Sequence, residues 1–312
     1  MNVQQAQVML YTNKISDQGI LGLGSSLAKC SNLSNLEIYI DRNKVGAIGV
    51  SGLGSSLAKC TKLSNLTLNL SENQIGDQGA SGLGSALSKC NNLSSLQLYL
   101  GQNQIGDKGS SGLASALAKC ATISKLTLSL RQNQICDSGA SRLSSAIAKF
   151  TNLSNLKLIL RETQIGDQGA SDLGSAFVKC TNLSNLTLFL DDNKVGSIGS
   201  LGLGSALAKC INLSNLTLNL YGNNINDKGA SNLSSNLKNC TNLKNLTLDL
   251  LWNEISAFGA SDLGSNLAML TNLQNLFLKL NRKEISLSQQ LKIRSKCLKL
   301  KRLVTQKICF YF

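Results

Sequence analysis

The sequence predicts an α/β solenoid, a horseshoe with a parallel β-sheet on its concave side and helices on its convex side. Two observations support this prediction. A 30-residue pattern recurs along the chain, with few changes between Ser31 and Leu270, and self-similarity at a period of about 20–50 residues is typical of stacked repeats. Within each copy, strand periodicity is followed by helix periodicity. Asparagines in one phase mark the copies: Asn13, Asn43, Asn73, Asn103, Asn133, Asn193, Asn223 and Asn253, with Thr163 and Lys283 breaking the column.

The first half of each copy predicts a strand with one buried face. In the copy that begins at Thr61, apolar and polar residues alternate from Leu66 to Leu70, which is strand periodicity. The asparagine that follows is expected to satisfy buried backbone groups of the turn. The predicted strands lie near residues 36–40, 66–70, 96–100, 126–130, 156–160, 186–190, 216–220, 246–250 and 276–280.

The second half of each copy predicts a turn and a helix. Gly76 and Asp77 are a turn and helix-start signal, with Asp77 as the expected N-cap. The helix is expected to end near residues 89–90. Its apolar residues follow at spacings of three and four, as in an amphipathic helix: Ala80, Leu83 and Leu87.

These two halves resemble the leucine-rich repeat family, in particular its ribonuclease-inhibitor-like class. The resemblance rests on the run L-x-L-x-x-N-x-I from Leu68 to Ile75 and on the helical half from Gly76 to Leu87. It covers nearly the whole chain and implies the horseshoe fold. The sequence departs from the family pattern, because L-x-x-L-x-L-x-L-x-x-N replaces L-x-x-L-x-L-x-x-N, so the curvature of the family does not carry over.

The organisation expected is one continuous array with atypical ends. Residues 1–283 form the repeat array, beginning with a half-repeat at residues 1–15, and residues 284–312 form a degenerate basic repeat that acts as a cap. In this last segment we expect a helix over 286–297 and a strand over 305–311. Its apolar residues keep the repeat phase: Ile293, Cys297, Leu300, Leu303, Ile308 and Phe310.

The chain is basic, with a formal net charge of +14. Basic side chains concentrate at residues 281–312, where Glu284 is the single acid. Such charge can bind nucleic acid or an anionic membrane. A solvated cap accounts for it better, because no aromatic-plus-basic nucleic-acid module accompanies it. A lysine column is expected to complement the helix dipoles: Lys29, Lys59, Lys89, Lys119, Lys149, Lys179 and Lys209.

The cysteines predict a buried structural column rather than a metal site or a disulfide framework. Phe150 and Leu270 replace the thiol at two positions of the column, and a metal ligand or bridge would not tolerate them. The chain has neither a C-x-x-C pair nor a histidine, so the usual zinc sites are excluded. We therefore expect no metal. The column is Cys30, Cys60, Cys90, Cys120, Cys180, Cys210 and Cys240.

Enzymatic function is not expected. The chain has no histidine, so Ser-His and Cys-His nucleophiles are absent in their common forms. The G-L-G at Gly82–Gly84 recurs within predicted helices and lacks the rest of a phosphate loop. We expect no cofactor and no small-molecule substrate. The start of the chain has no signal-peptide pattern, so the expected location is the cytoplasm.

One set of positions varies freely between the copies, and we predict that it forms the binding surface. These positions alternate with the buried leucines, so they point onto the concave face. Aromatic and arginine side chains are the usual anchors of protein interfaces. The predicted partner-binding residues are Tyr39, Tyr99, Arg131, Ile159, Arg161, Phe189, Asp191, Tyr221, Leu251 and Trp252. Other charged residues of the same phases are Glu37, Asp41, Arg42, Glu72, Lys157, Asp192, Asp249, Lys279 and Arg282.

The function predicted is a non-enzymatic scaffold that binds an unknown protein partner on its concave face. The resemblance implies the same, since leucine-rich repeat proteins chiefly act as scaffolds, inhibitors or sensors. Three alternatives stay open at this point: a regulator of a GTPase, because Ran GTPase activators use this repeat class; a fragment of a larger signalling or kinase-type protein; and a polyanion binder.

Overall fold

Strands and helices alternate along the whole computed structural model, which describes residues 4–120, 122–281, 285–298, 300 and 302–311. Within these residues, eleven parallel strands form one open sheet in which each strand pairs with the next along the chain. The predicted solenoid, with its sheet on one side and helices on the other, is confirmed. No helix of the described residues is long and apolar enough to cross a membrane.

The strands are short and evenly spaced. They are β1 (Gln5–Met9), β2 (Asn35–Tyr39), β3 (Asn65–Asn69), β4 (Ser95–Tyr99), β5 (Lys125–Ser129), β6 (Asn155–Ile159), β7 (Asn185–Phe189), β8 (Asn215–Asn219), β9 (Asn245–Asp249), β10 (Asn275–Asn281) and β11 (Thr305–Tyr311). The predicted strands from β2 to β10 are therefore present, and each begins one residue earlier than predicted.

One helix follows each strand from β1 to β10. The helices are α1 (Asp17–Leu27), α2 (Ala47–Leu57), α3 (Gly76–Leu87), α4 (Asp107–Leu117), α5 (Asp137–Ile147), α6 (Asp167–Lys179), α7 (Ser197–Leu207), α8 (Asp227–Leu237), α9 (Ala257–Leu267) and α10 (Leu287–Cys297). Most of these helices end at their last buried leucine, which lies two residues before the lysine of the same repeat. The expectation that the lysines lie in the last helical turn is therefore wrong, except at Lys179 of α6.

The register places equivalent residues of successive repeats side by side. Asn65 of β3 pairs with Asn35 of β2 on one side and with Ser95 of β4 on the other. The same offset of 30 residues holds at every strand pair. A column in the sequence is consequently a physical row of side chains across the sheet.

The core lies between the sheet and the helices. Leu66 and Leu68 of β3 are buried on the sheet side, and Leu83 and Leu87 of α3 are buried on the helix side. Glycine lets neighbouring helices approach closely, since a Cβ on Gly84 would lie 2.8 Å from the Leu113 Cα. Stacking therefore buries apolar surface that a single repeat would leave exposed.

The aspartates at the helix starts cap the following helix rather than their own, so the expected role of Asp77 is corrected. Its Oδ1 accepts hydrogen bonds from the backbone N–H of Gly106 at 2.7 Å and of Gly109 at 2.9 Å, in the first turn of α4. Asp137 and Asp167 bond the next helix in the same way. Each such aspartate thus joins two repeats.

The last helix and strand are where the sequence predicts them. Ser286 caps α10 through a capping box with Gln289, and β11 pairs with β10 in the regular register. Ile293, Cys297, Leu300 and Ile308 are buried, and Leu303 and Phe310 pack against the core. The calls on Arg282, Lys283 and Glu284 fall outside the described residues.

Candidate partner-binding surface

Four of the predicted binding residues share one row on the strands. Tyr39, Tyr99, Ile159 and Phe189 are the last residues of their strands, and each is half-buried on the face of the sheet opposite the core. Ile159 and Phe189 are direct neighbours in the register. Tyr39 and Tyr99 lie on alternate strands of the same row, β2 and β4.

The other six predicted residues lie in the turn that follows each strand, not on the strands themselves, which corrects their expected placement. Five of them, at equivalent positions two residues beyond successive strands, are Arg131, Arg161, Asp191, Tyr221 and Leu251. The sixth, Trp252, comes one residue later. We call this segment the strand-end turn, and it runs along the edge of the sheet at which the strands end.

The strand-end turn has an unusual backbone. The position that Trp252 occupies is left-handed in most repeats, with φ of 57° at Glu72 and 54° at Trp252. Non-glycine residues adopt this conformation rarely, and bulky ones least of all. The turn is held by bonds to the next repeat, such as the one from Glu72 N–H to the Gly101 carbonyl at 2.8 Å.

The asparagine column lies beneath this turn and fixes it. Asn73 Nδ2 donates to the carbonyl oxygens of Ile40 and Leu70, both at 3.0 Å, and its Oδ1 accepts from Val45 N–H at 2.9 Å. Two of these partners belong to the preceding repeat. The predicted role of the column in satisfying buried backbone groups is confirmed. Where Thr163 replaces asparagine, its hydroxyl contacts the Leu160 carbonyl and Asn193 Oδ1 instead.

Charged residues of the strand-end turn pair with one another near the N-terminal strands. Glu72 forms ion pairs with Arg42 at 3.1 Å and with Arg131 at 3.5 Å. Arg131 reaches Glu72 by lying across Gly101, where a Cβ would come within 2.7 Å of the Arg131 Cγ. In this part of the turn a single acid therefore has two arginine partners.

The ratio of acidic to basic side chains is reversed in later repeats of the strand-end turn, where Arg161 has three acidic neighbours. Its Nε lies 3.0 Å from Glu162 and 2.9 Å from Asp191, and its Nη2 lies 3.6 Å from Asp192. Asp191 is only 5% exposed. Burial raises the pKa of Asp191, although Arg161 opposes the shift, and burial also raises the pKa of Asp192.

Two aromatic rings come together beside this acidic group. The ring centroids of Tyr221 and Trp252 lie 6.5 Å apart at an interplanar angle of 55°, within the range of favourable aromatic pairs. Trp252 is 60% exposed, whereas Leu251 is 8% exposed. Leu251 is thus a buried support of the turn, and its place in an accessible patch is not borne out by this geometry.

Comparison with known proteins supports the repeat assignment. A sequence model of the family described as "Leucine Rich repeat" matches residues 62–84, 89–114 and 212–234, each of which spans parts of the 30-residue unit seen in the fold. These matches and the repeated strand–helix unit support a leucine-rich repeat protein. No curated protein matches it.

Solved structures similar to this leucine-rich repeat chain include two internalins from Listeria monocytogenes. The internalin inlF is 21% identical, with 97% of this chain and 86% of that chain covered and a TM-score of 0.49. The internalin C2 (inlC2) is 24% identical, with 78% of this chain and 80% of that chain covered and a TM-score of 0.47.

The cysteine column of the leucine-rich repeat array is buried at six of its seven positions, and Cys30, which follows the first helix, is half-buried. Burial raises the pKa of Cys180 and Cys240 to about 12. The Cys180 Sγ lies 3.3 Å from the carbonyl oxygen of Ile147 in the preceding repeat. In the described residues, no group of three or more His, Cys, Asp or Glu side chains could hold a metal ion.

Sequence reasoning missed two residues of the leucine-rich repeat surface, Glu162 and Gly222. Glu162 occupies the same repeat position as Glu72 and could have been found by that equivalence. Gly222 is the one glycine among the residues at this position from Thr12 to Trp252. Its contact with Asp192 depends on the stacking of two repeats, which the sequence of either repeat does not show.

Proposed function

We propose that this leucine-rich repeat protein is a non-enzymatic scaffold that binds a protein partner on its concave face. Repeat arrays of this kind are typical of protein-interaction domains. We further propose that it belongs to the ribonuclease-inhibitor-like class, for which the full α-helix in every repeat is the support. Ten unpaired thiols favour the reducing environment of the cytoplasm.

The main support for the proposal is that two neighbouring rows of side chains, one buried and one at the surface, differ in how much their residue types vary between repeats. The buried row beneath the strand-end turn is asparagine at nearly every repeat, with the same hydrogen bonds each time. The row above it changes from arginine to aspartate, tyrosine and leucine in successive repeats. Stacking constrains the first row, and a partner that contacts different repeats differently accounts for the second.

The side chains of the variable row also suit protein recognition. Tyrosine, tryptophan and arginine are enriched among residues that dominate binding energy. Tyr221 and Trp252 form one aromatic pair, and Phe189 lies on the neighbouring strand under the ammonium group of Lys157, 5.9 Å from the ring centroid. The concave face therefore combines apolar anchors with a charged edge.

The test is capture of the partner from native lysate by purified variants. Trp252→Asn and Tyr221→Ala should each weaken capture by about thirtyfold, because truncating a central anchor costs about 2 kcal/mol or more. Asparagine is chosen at position 252 because it tolerates the left-handed backbone there. Binding is measured by titration of the captured partner once it is isolated.

The controls are Lys89→Ala and Lys119→Ala, which remove exposed charges next to the convex helices. They should leave capture within about twofold of the unmodified protein, since exposed charges of a structural column contribute little. Loss of capture in the lysine variants, with capture retained in the aromatic variants, would place recognition on the convex side and refute the proposal.

A further inference from the structure

An excess of negative charge lies on one part of the strand-end turn. Three carboxylates, those of Glu162, Asp191 and Asp192, surround the single guanidinium of Arg161 at 2.9–3.6 Å. The equivalent part of the turn near the first repeats shows the opposite ratio, with Arg42 and Arg131 around Glu72. The acidic group is therefore a local feature and not a property of the repeat.

One oxygen of this group lacks a hydrogen-bond partner. Asp191 Oδ2 bonds to Arg161, but Asp191 Oδ1 is buried and has no donor within the described part of the chain. A buried carboxylate oxygen without a donor is costly and rare in folded proteins. A further cation at the mouth of the group would offset that cost through its charge, without having to contact Oδ1.

Gly222 brings the acidic group next to the aromatic pair. A Cβ at position 222 would lie 2.4 Å from Asp192 Oδ1, so the carboxylate occupies space that a side chain would fill. Tyr221 precedes this glycine, and Trp252 follows at the equivalent position of the next repeat, with its ring close to that of Tyr221. Asp192 thus packs against the backbone of the residue that follows Tyr221.

This edge combines the two features that bind a basic side chain. Carboxylates form charge-assisted hydrogen bonds with guanidinium and ammonium groups, and aromatic faces attract the same cations. Other rings of the sheet already lie near cations, since Lys157 is placed over Phe189 and Lys279 over Phe277. Contacts between cations and aromatic rings therefore already occur on the same face of the sheet.

We infer that the edge formed by Glu162, Asp191, Asp192, Tyr221 and Trp252 receives an arginine or lysine side chain of the protein partner. The inference rests on the proposed function, because it names the chemistry of the partner at that face. The basic side chain bonds to Asp192 and Glu162 and packs against the exposed ring of Trp252. In the described part of the chain, no group of three or more His, Cys, Asp or Glu side chains could hold a metal ion. A divalent cation is nevertheless included in the test as a competing occupant.

The test uses the full chain and its only tryptophan, Trp252, whose fluorescence and indole N–H resonance report on the edge directly. The probe is a short glycine–serine peptide with paired arginines, titrated alongside the same peptide with glutamates and alongside CaCl₂. The arginine peptide should give a saturable change that weakens with salt, and the glutamate peptide should give none. Combined Glu162→Gln and Asp192→Asn should reduce the affinity by at least about tenfold, or about 1.4 kcal/mol.

The matched control is Glu72→Gln, an acid at the same repeat position as Glu162 but far from Trp252. It should bind the arginine peptide as the unmodified protein does. All variants are compared by circular dichroism and melting temperature, so that misfolding is distinguished from lost binding.

Either of two results with the arginine peptide would overturn the inference: no saturable response to it, or a response that the Glu162→Gln/Asp192→Asn variant keeps in full. Saturation by CaCl₂ alone, abolished in that variant, would assign the edge to a metal ion instead. These failures are distinct from failure of the proposed function, which is tested by partner capture. If partner capture depends on Tyr221 and Trp252 but the arginine peptide does not bind, the proposal that the concave face binds the partner stands. The inference that this edge receives a basic side chain is then wrong.

Discussion

Two turns of each repeat lie at opposite ends of the same chain segment and differ in how their charged side chains are used. At the helix-start turn, aspartates such as Asp77, Asp137 and Asp167 bond the backbone of the next repeat in the same way. At the strand-end turn, the residue type changes from repeat to repeat, and one oxygen of Asp191 has no donor among the residues that the structure describes.

The difference teaches how to separate architecture from recognition in a repeated structure. A side chain that makes the same bonds between every pair of repeats contributes to stacking, and its loss should be seen in stability. A position whose residue type changes between repeats, although the backbone conformation does not, makes no stacking contact that all repeats share. Loss of a side chain there should be seen in binding.

The largest expected effect is at the helix-start turn. Asp77→Ala removes the acceptor for the N–H groups of Gly106 and Gly109, so it should lower the free energy of unfolding by about 2 kcal/mol. Glu72→Ala, at the strand-end turn of the same repeat, removes partly exposed ion pairs and should cost less than about 1 kcal/mol. Urea denaturation measures both. Equal losses would show that the two turns are equally structural.

A smaller effect of opposite sign is expected where the asparagine column is interrupted. Thr163→Asn should raise the free energy of unfolding by about 1 kcal/mol, because an amide there can donate to the carbonyl of Leu130 and accept from Ile135 N–H. Asn133 makes the equivalent bonds one repeat earlier, to the Leu100 carbonyl and from Ile105 N–H, both at 2.9 Å.

The control for this substitution is Thr163→Ser, which keeps the hydroxyl that contacts Leu160 and Asn193. It should give no gain. A Thr163→Asn protein that is less stable than the original would mean that threonine at this position is better packed than the column residue it replaces.

The smallest expected effect is a difference in pH dependence between the two turns. Burial alone would raise the pKa of Asp107, but bonds from Cys136, Ser138 and the backbone N–H groups of Cys136 and Gly139 lower it below 3.8. Burial raises the pKa of Asp191 above 3.8, with Arg161 opposing and Asp192 and Glu162 reinforcing the shift. The two carboxyls should therefore respond to acid with opposite signs.

The measurement is the melting temperature of the original protein minus that of Asp107→Asn or Asp191→Asn, across acidic pH. The stability that Asp107 contributes is present above pH 3.8 and should be lost as the pH falls through its lowered pKa. The contribution of Asp191 is present below pH 3.8 and should be lost as the pH rises through its raised pKa. Slopes of the same sign for both variants would contradict this assignment.

Much of the fold could be predicted because the same pattern of apolar residues recurs in every repeat. The alternation from Leu66 to Leu70 and the helical spacing from Ala80 to Leu87 recur in each copy, so a weak local signal is read many times. The last strand, Thr305–Tyr311, was predicted from apolar phase alone. The strand-end turn was not predicted, because Leu251 and its equivalents continue the alternation of the strand in the sequence, whereas the backbone becomes left-handed at the next residue, Trp252.

The sequence by itself determined the period, the buried rows and the order of the strands, because periodic burial requires each repeat to stack on its neighbours. Only the tertiary structure decided which side chains of different repeats meet. Asp77 bonds the helix after its own, and Asp192 lies over Gly222. These contacts join residues about one repeat apart, and their geometry depends on the rise and twist between repeats, which no single repeat encodes.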